Sequence, residues 1–219
     1  MSLKTLFESA VKEVRRRRIP FAVAGGFACN LYRQEMRLTM DVDLVILADG
    51  SAEAEAVAVV SALGLQPRTV RRADLAGGPL FAIRSQRTEP CIVVGRQAET
   101  ASGPGLDILL PALPWAADAV ARAQPNTVDF GFGKVPTLTL EDVVITKLYA
   151  LDAIPVRAKD LDDLQAIFAA DPDIDMAYLA GQLRRFKLNI RPEARPFLPA
   201  WLLKMARDNR RADRRVEKA

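Results

Sequence analysis

Over the first eighteen positions hydrophobic residues recur every three or four residues, so that Leu3, Leu6, Phe7, Val11 and Val14 share one face. That period predicts a helix from Ser2 to Arg18. The pattern then shortens to an apolar run, "IPFAVAGG", which reads as a strand stopping at Gly25 and Gly26. "FACNLYRQ" reads as the opening of a second helix. "DVDLVIL" is a buried strand, although Asp is among the residues a strand tolerates least. "SAEAEAVAVVSAL" returns to a helical pattern, with Ser51 placed to cap it and Gly64 just past its end.

From Gln66 to Arg96 the pattern predicts short strands at "RTVRR", "PLFAIRS" and "CIVVG". "GPGLDILL" is another buried strand, with Asp107 at its centre. A short helix around Trp115 to Arg122 and a strand pair near "NTVDFGFGKVPTL" follow. From Thr139 every stretch reads helical, opened by a T-x-x-D capping box with Asp142. A boundary near Thr137 divides the chain into residues 1–136, of α/β type, and residues 137–219, all helical. No internal repeat or low-complexity linker interrupts it.

Composition narrows the chemistry. The 219 residues are 50% hydrophobic and 26% charged, an ordinary balance for a soluble globular protein. No apolar run approaches the roughly 20 residues of a membrane helix. The amphipathic, charge-ended N-terminus does not resemble a signal peptide. Cys29 and Cys91 form neither a metal spacing nor a disulfide framework, so a cytoplasmic protein with reduced thiols is expected. There is no histidine, which removes Ser-His-Asp and Cys-His mechanisms and every His-containing zinc site. Any metal must be held by hard oxygen ligands, which favour Mg²⁺ or Mn²⁺. The net charge of +4 is uneven: twelve Lys or Arg against four acids from Arg184 onward give +8 there and −4 before it. That basic C-terminal stretch suits RNA, a nucleotide or an acidic protein partner, or equally a solvated helix face.

Three features carry candidate chemistry. A strand, two glycines and a helix would gather free backbone N–H groups and let a phosphate approach closely; an ordinary tight turn uses the same residues. Asp41 and Asp43, two apart on a strand, project from one face. Like charges that close repel unless a cation lies between them, and the apolar "LVIL" after them argues against a solvated edge strand. Asp107 repeats the anomaly in "GLDILL". Should that strand lie beside "DVDL", three carboxylates could hold two divalent ions for an in-line displacement at phosphorus.

In this order "AGG" (residues 24–26), "DVDL" (41–44) and "LDI" (106–108) resemble the DNA polymerase beta-like nucleotidyltransferase superfamily, whose pattern is hG[GS], Dh[DE]h and h[DE]h. "RLT" before the Asp pair fits its small bacterial members. "LTLEDVVITKLYAL" and "VRAKDLDDLQAIF" are similar to the helices of minimal nucleotidyltransferases related to abortive-infection, type IV toxin–antitoxin toxins. There a mid-helix lysine and an Arg-x-[KR]-Asp-x-x-Asp stretch recur, here Lys147 and Arg157, Lys159, Asp160 and Asp163.

The resemblance implies an α+β fold: an N-terminal nucleotidyltransferase α/β domain with a mixed sheet, then an all-α C-terminal domain. It implies catalytic and metal-binding roles for Asp41, Asp43 and Asp107. Nucleotide contacts would come from Gly25, Gly26, Arg37, Thr39, Lys147, Arg157 and Asp160, with Arg37 and Thr39 bracing the metal strand or touching phosphate. Asp160 and Asp163, three apart on one helix face, would orient Lys147 or Arg157; surface ion pairs are the plainer alternative.

The implied activity is Mg²⁺- or Mn²⁺-dependent transfer of an NMP from an NTP to an acceptor hydroxyl of tRNA, a protein or a small molecule, releasing pyrophosphate. An antitoxin partner is implied, and no membrane. A non-catalytic nucleotide- or RNA-binding module, acting through the basic C-terminus, is the alternative; the presence of all three carboxylates counts against it. Residues 66–96 match no nameable pattern and are expected to hold part of the acceptor pocket. One departure from the family is the lack of a serine after the glycines, leaving phosphate contact there to the backbone.

Overall fold

Burial alternates along the strand that carries the acidic pair. In β2 (Asp41–Ile46) Val42 and Leu44 are fully buried, whereas Asp41 and Asp43 remain partly open on the opposite face. In β5 (Gly105–Leu109) Leu106 and Ile108 are buried and Asp107 and Leu109 face the other way. The computed structural model describes residues 1–48, 50–71, 89–98, 103–151, 157–186, 188 and 190–206. The strand expected at "PLFAIRS" and the end of the basic C-terminal run lie outside them.

The two acidic strands are parallel neighbours in a five-stranded mixed sheet. Its order is β1 (Phe21–Val23), β2, β5, β4 (Pro90–Arg96) and β3 (Gln66–Arg71), every pair but β2–β5 antiparallel. One face packs on α1 (Leu3–Arg16) and α3 (Ala52–Ala62), with Leu6, Phe7, Val59, Leu44, Leu106 and Ile108 in a shared cluster. Ser2 and Ser51 cap these helices through their hydroxyls, as the sequence pattern predicts.

The helix expected after the glycines is shorter and starts earlier than the pattern suggested. α2 spans Gly25–Cys29, so both glycines lie inside its first turn and it ends before Leu31. Gly25 has φ +56°, a conformation costly for any residue with a Cβ. Asn30 stops the helix as a clamp: its side chain donates to the Arg37 carbonyl at 2.9 Å and accepts from the Arg37 amide at 3.1 Å.

The opposite sheet face is covered by helices. α4 (Ala116–Ala123) and the hairpin of β6 (Thr127–Asp129) and β7 (Lys134–Pro136) lead to α5 (Leu140–Ala150), α6 (Ala158–Ala169) and α7 (Met176–Arg185). A 3-10 helix (Pro192–Phe197) and helical residues 200–206 follow. Thr139 caps α5, its hydroxyl accepting from the Asp142 amide. A single apolar cluster joins Ala22, Ala28 and Val45 to Leu148, Leu164 and Leu183, so residues on both sides of position 137 share one core. Among the described residues no helix is long and apolar enough to cross a membrane.

Candidate functional site

Between the open sheet face and α5–α6 lies a cleft of about 270 Å³. Gly25, Gly26, Arg37, Thr39, Asp41, Asp43, Asp107, Lys147, Arg157, Lys159 and Asp160 all line it, so the site residues singled out in the sequence come to one place, with Asp163 behind its lining. Its two walls differ in chemistry.

The sheet wall is acidic. Asp43 sits directly opposite Asp107 across the parallel β2–β5 pair, and Asp41 opposite Gly105. Asp43 is pushed up to about 6, first by burial and then by the negative charges of Asp107 and Asp41. Gly25 packs so closely on this carboxylate that a Cβ there would overlap it. A Cβ on Gly26 would lie 2.6 Å from the Thr39 hydroxyl oxygen. The glycines therefore bring backbone against the acidic strand, which side chains would prevent. Thr39 in turn donates to the Asp41 carbonyl at 3.2 Å, bracing the start of β2.

Arg96, at the end of β4, completes this wall. Its Nη1 donates to Asp107 Oδ1 at 2.6 Å, and its Nη2 lies 3.6 Å from Asp41 Oδ1. Burial would lower the guanidinium pKa, but Asp107 and Asp41 outweigh it and hold it above the ordinary value.

The helix wall is an interior ion network. Lys147 on α5 is buried and donates to Asp160 Oδ1 at 2.8 Å; its Nζ is also 2.6 Å from Asp163 Oδ2. Desolvation pulls the lysine pKa down, and the two carboxylates more than reverse it. Arg37 grips Asp163 with two hydrogen bonds, from Nε at 2.6 Å and Nη2 at 2.9 Å. Arg33 Nη1 adds a third at 2.6 Å. Burial would raise Asp163, yet Arg37 and Lys147 hold it well below the usual carboxylate range. Arg157, just before α6, donates from Nε to Asp160 Oδ2 at 2.6 Å. Asp160 and Asp163 are both fully buried, which is not the geometry of surface ion pairs.

Several lining residues carried no sequence signal. Ile92, Leu109, Leu113, Trp115 and Tyr149 form an apolar section of the cleft beside Asp107. Arg33 and Arg96 read in sequence as ordinary surface cations. A sharper reading of "CIVVGR" could have found Arg96, since Ile92, Val94 and Arg96 alternate onto the face opposite the buried Cys91 and Val93.

Divalent-ion binding can be tested against this donor set. Asp41, Asp43 and Asp107 offer hard oxygens on one face of two paired strands, and the repulsion that raises Asp43 is what a cation would relieve. The donors therefore suit Mg²⁺ or Mn²⁺. Among the described residues no three acidic, Cys or His side chains already close on a single point, and Asp107 is engaged by Arg96.

Residues 14–215 match the profile of a protein family described as nucleotidyl transferase AbiEii toxin, type IV TA system. Among solved structures, an antigenic nucleotidyltransferase-like protein from Paracoccidioides brasiliensis aligns over 88% of this chain and 95% of its own. It is 17% identical, with a TM-score of 0.51. The antibiotic-resistance factor ANT(2'')-Ia aligns over 83% of this chain and 90% of its own, at 19% identity and a TM-score of 0.49. At these identities the likeness to the first is one of fold. A search of curated proteins gives no match.

Proposed function

Since the chain belongs to the AbiEii family of nucleotidyl transferase toxins of type IV toxin–antitoxin systems, and is a nucleotidyltransferase, we propose a specific division of labour within its cleft. An NTP binds with its phosphates between the backbone of Gly25 and Gly26 and the cations Lys147, Arg157 and Lys159. Asp41, Asp43 and Asp107 hold Mg²⁺ or Mn²⁺, which when bound supplies charge neutralisation at phosphorus and lowers the pKa of the attacking hydroxyl. Asp107, on the neighbouring strand, is the carboxylate nearest that hydroxyl and takes part in accepting its proton. The acceptor oxygen bonds to the α-phosphorus, the α–β bridge breaks, and pyrophosphate leaves along the cationic wall.

The observation that carries this reading is the register of Asp43 opposite Asp107, with Gly25 pressed against Asp43 and Lys147 and Arg157 across the same cleft. A backbone amide cradle, paired carboxylates and fixed cations within about 270 Å³ form a site shaped for a polyphosphate. α2 is too short for its dipole to matter much, so the amides themselves do the holding.

Arg37 and Thr39 act at one remove, Arg37 tying the segment before β2 to Asp163 and Thr39 fixing the Asp41 backbone. Asp160 orients Lys147 and Arg157. We place residues 1–136 as the catalytic α/β unit and 137–219 as an all-α unit that supplies the cationic wall. The acceptor is a tRNA, a protein hydroxyl or a small molecule, and an antitoxin is the expected genetic partner. The buried Cys29 and Cys91 suit a reducing, cytoplasmic setting.

The test is incubation with each α-³²P-labelled NTP and Mg²⁺ or Mn²⁺, offering total tRNA, the protein alone, or aminoglycosides and lincosamides. Label should enter one acceptor fraction and be lost in Asp41→Asn. Label that persists in Asp41→Asn would contradict the assigned site.

A further inference from the structure

Arg96 has no part in the scheme above, yet it makes the shortest contact on the acidic wall. Its guanidinium hydrogen-bonds Asp107 at 2.6 Å and pairs electrostatically with Asp41 at 3.6 Å, so it spans two of the three carboxylates assigned to metal. A contact at 2.6 Å between charged partners is a strong hydrogen bond, whereas 3.6 Å is attraction without one. The fold makes room for this arrangement. Asp41 lies opposite Gly105 on β5, and a Cβ at Gly105 would fall 2.6 Å from both Arg96 Cζ and Asp41 Oδ1. Only the missing side chain lets the guanidinium lie across the strand between the two acids. Arg96 is not trapped there: its side chain is 40% exposed, and its Nη1 has a second acceptor in its neighbour's carbonyl, Gly95 O, at 3.0 Å.

A fixed cation at that spot offsets the repulsion among Asp41, Asp43 and Asp107 and keeps β2 and β5 in register without an ion. The same contact occupies Asp107 oxygen that a divalent ion needs. A guanidinium on Asp107 Oδ1 and a divalent ion on the same carboxylate repel each other, so each weakens the hold of the other on the acid.

We propose that Arg96 is an internal counter-cation of the acidic triad, one that competes with a divalent ion for Asp107 and Asp41, so that Arg96 lowers the metal affinity of the site. This rests on the nucleotidyl-transfer reading, which assigns metal to those carboxylates. Arg96 acts through Asp107 and is a positioning residue. Its removal should leave the acids intact and make them better ligands, the opposite of what loss of a metal-supporting residue would do.

The experiment is a Mn²⁺ titration of the full chain, following free Mn²⁺ by electron paramagnetic resonance, for wild type, Arg96→Gln and Asp43→Asn. Arg96→Gln should bind Mn²⁺ up to about fivefold tighter, in line with losing a competing, part-exposed charge pair. Binding by wild type that Asp43→Asn abolishes, with equal or weaker binding by Arg96→Gln, overturns the proposal and leaves the nucleotidyl-transfer reading standing. Absence of Mn²⁺ binding from all three overturns both. Should Arg96→Gln unfold, Arg96→Met keeps the packing of the stem and is read by the same criteria.

Discussion

The two walls of the cleft both carry clustered charges and treat them in opposite ways. On the helix wall each buried acid has more than one cation: Asp163 meets Arg33, Arg37 and Lys147, and Asp160 meets Lys147 and Arg157. On the sheet wall, among the described residues, Asp41 and Asp107 share the part-exposed Arg96, and Asp43 is left with its pKa raised. A protein that balances charge so thoroughly on one side has the means to do so on the other. Uncompensated acid on the sheet wall fits the proposed binding of a cation there, while the helix wall holds Lys147 and Arg157 in place. Substitutions of the acids should separate the two: loss of a buried acid on the helix wall costs stability first, and loss of an acid on the sheet wall costs activity while relieving the resting protein.

The largest effect is expected at Asp163. Asp163→Ala strands Arg33, Arg37 and Lys147 beside a fully buried position, and breaking such an interior network costs about 3–5 kcal/mol. Urea denaturation should show that loss, and a change below about 1 kcal/mol would erase the distinction between the walls.

Asp43 should behave in the opposite sense. Its folded pKa is raised, from 3.8 to about 6, so the folded state holds the proton more tightly than the unfolded chain. The stability this gives is full below pH 4 and is lost as pH climbs from about 4 to 6; above 6 the ionised carboxylate is a constant burden. Asp43→Asn should thus raise the unfolding free energy at pH 7.5 in a chelator by on the order of 2 kcal/mol, and barely change it at pH 4. Its label transfer should fall by at least about 10²-fold. Melting curves across that pH range would expose an error in the sign directly.

Gly25→Ala tests how tightly the two layers of the sheet wall are fitted. A methyl at φ +56° costs about 1–2 kcal/mol and must also push against the Asp43 carboxylate. We expect a lower melting temperature together with weakened Mn²⁺ binding; loss of one without the other would mean that the contact between Gly25 and Asp43 is incidental. The smallest effect belongs to Arg157→Ala. That side chain is half exposed, so its pairing with Asp160 is worth under about 1 kcal/mol to stability. Its proposed role with phosphate predicts a several-fold rise in KM for the NTP with kcat less affected.

The difference between the walls also explains which residues could be read from sequence. Asp41, Asp43 and Asp107 break apolar strand patterns, so their oddity shows in one dimension. Gly25 and Gly26 announce themselves by the strand and helix on either side. Lys147, Arg157, Asp160 and Asp163 stood out through the resemblance to the helices of abortive-infection nucleotidyltransferases; their spacing alone read as surface ion pairs and did not reveal that the acids would be buried. Arg33 was not legible, because an arginine in a polar stretch looks the same whether it faces water or an acid; Arg96 showed only as the last position of an alternating strand, with nothing to name its partner. Their partners lie across the fold, at Asp163 and at Asp107 on the neighbouring strand. The apolar lining at Leu113, Trp115 and Tyr149 looked like core for the same reason. The brevity of α2 depends on Asn30 clamping Arg37 seven residues on, a contact no local propensity contains.

The most direct test of the central claim compares two labels in one NTP. With the active nucleotide and acceptor in hand, reactions are run in parallel with α-³²P and γ-³²P substrate, using wild type and Asp43→Asn. Nucleotidyl transfer at the acidic wall predicts α-label on the acceptor and γ-label in pyrophosphate, with both lost in Asp43→Asn. Recovery of γ-label on the acceptor, or α-label transfer that survives Asp43→Asn, would contradict it.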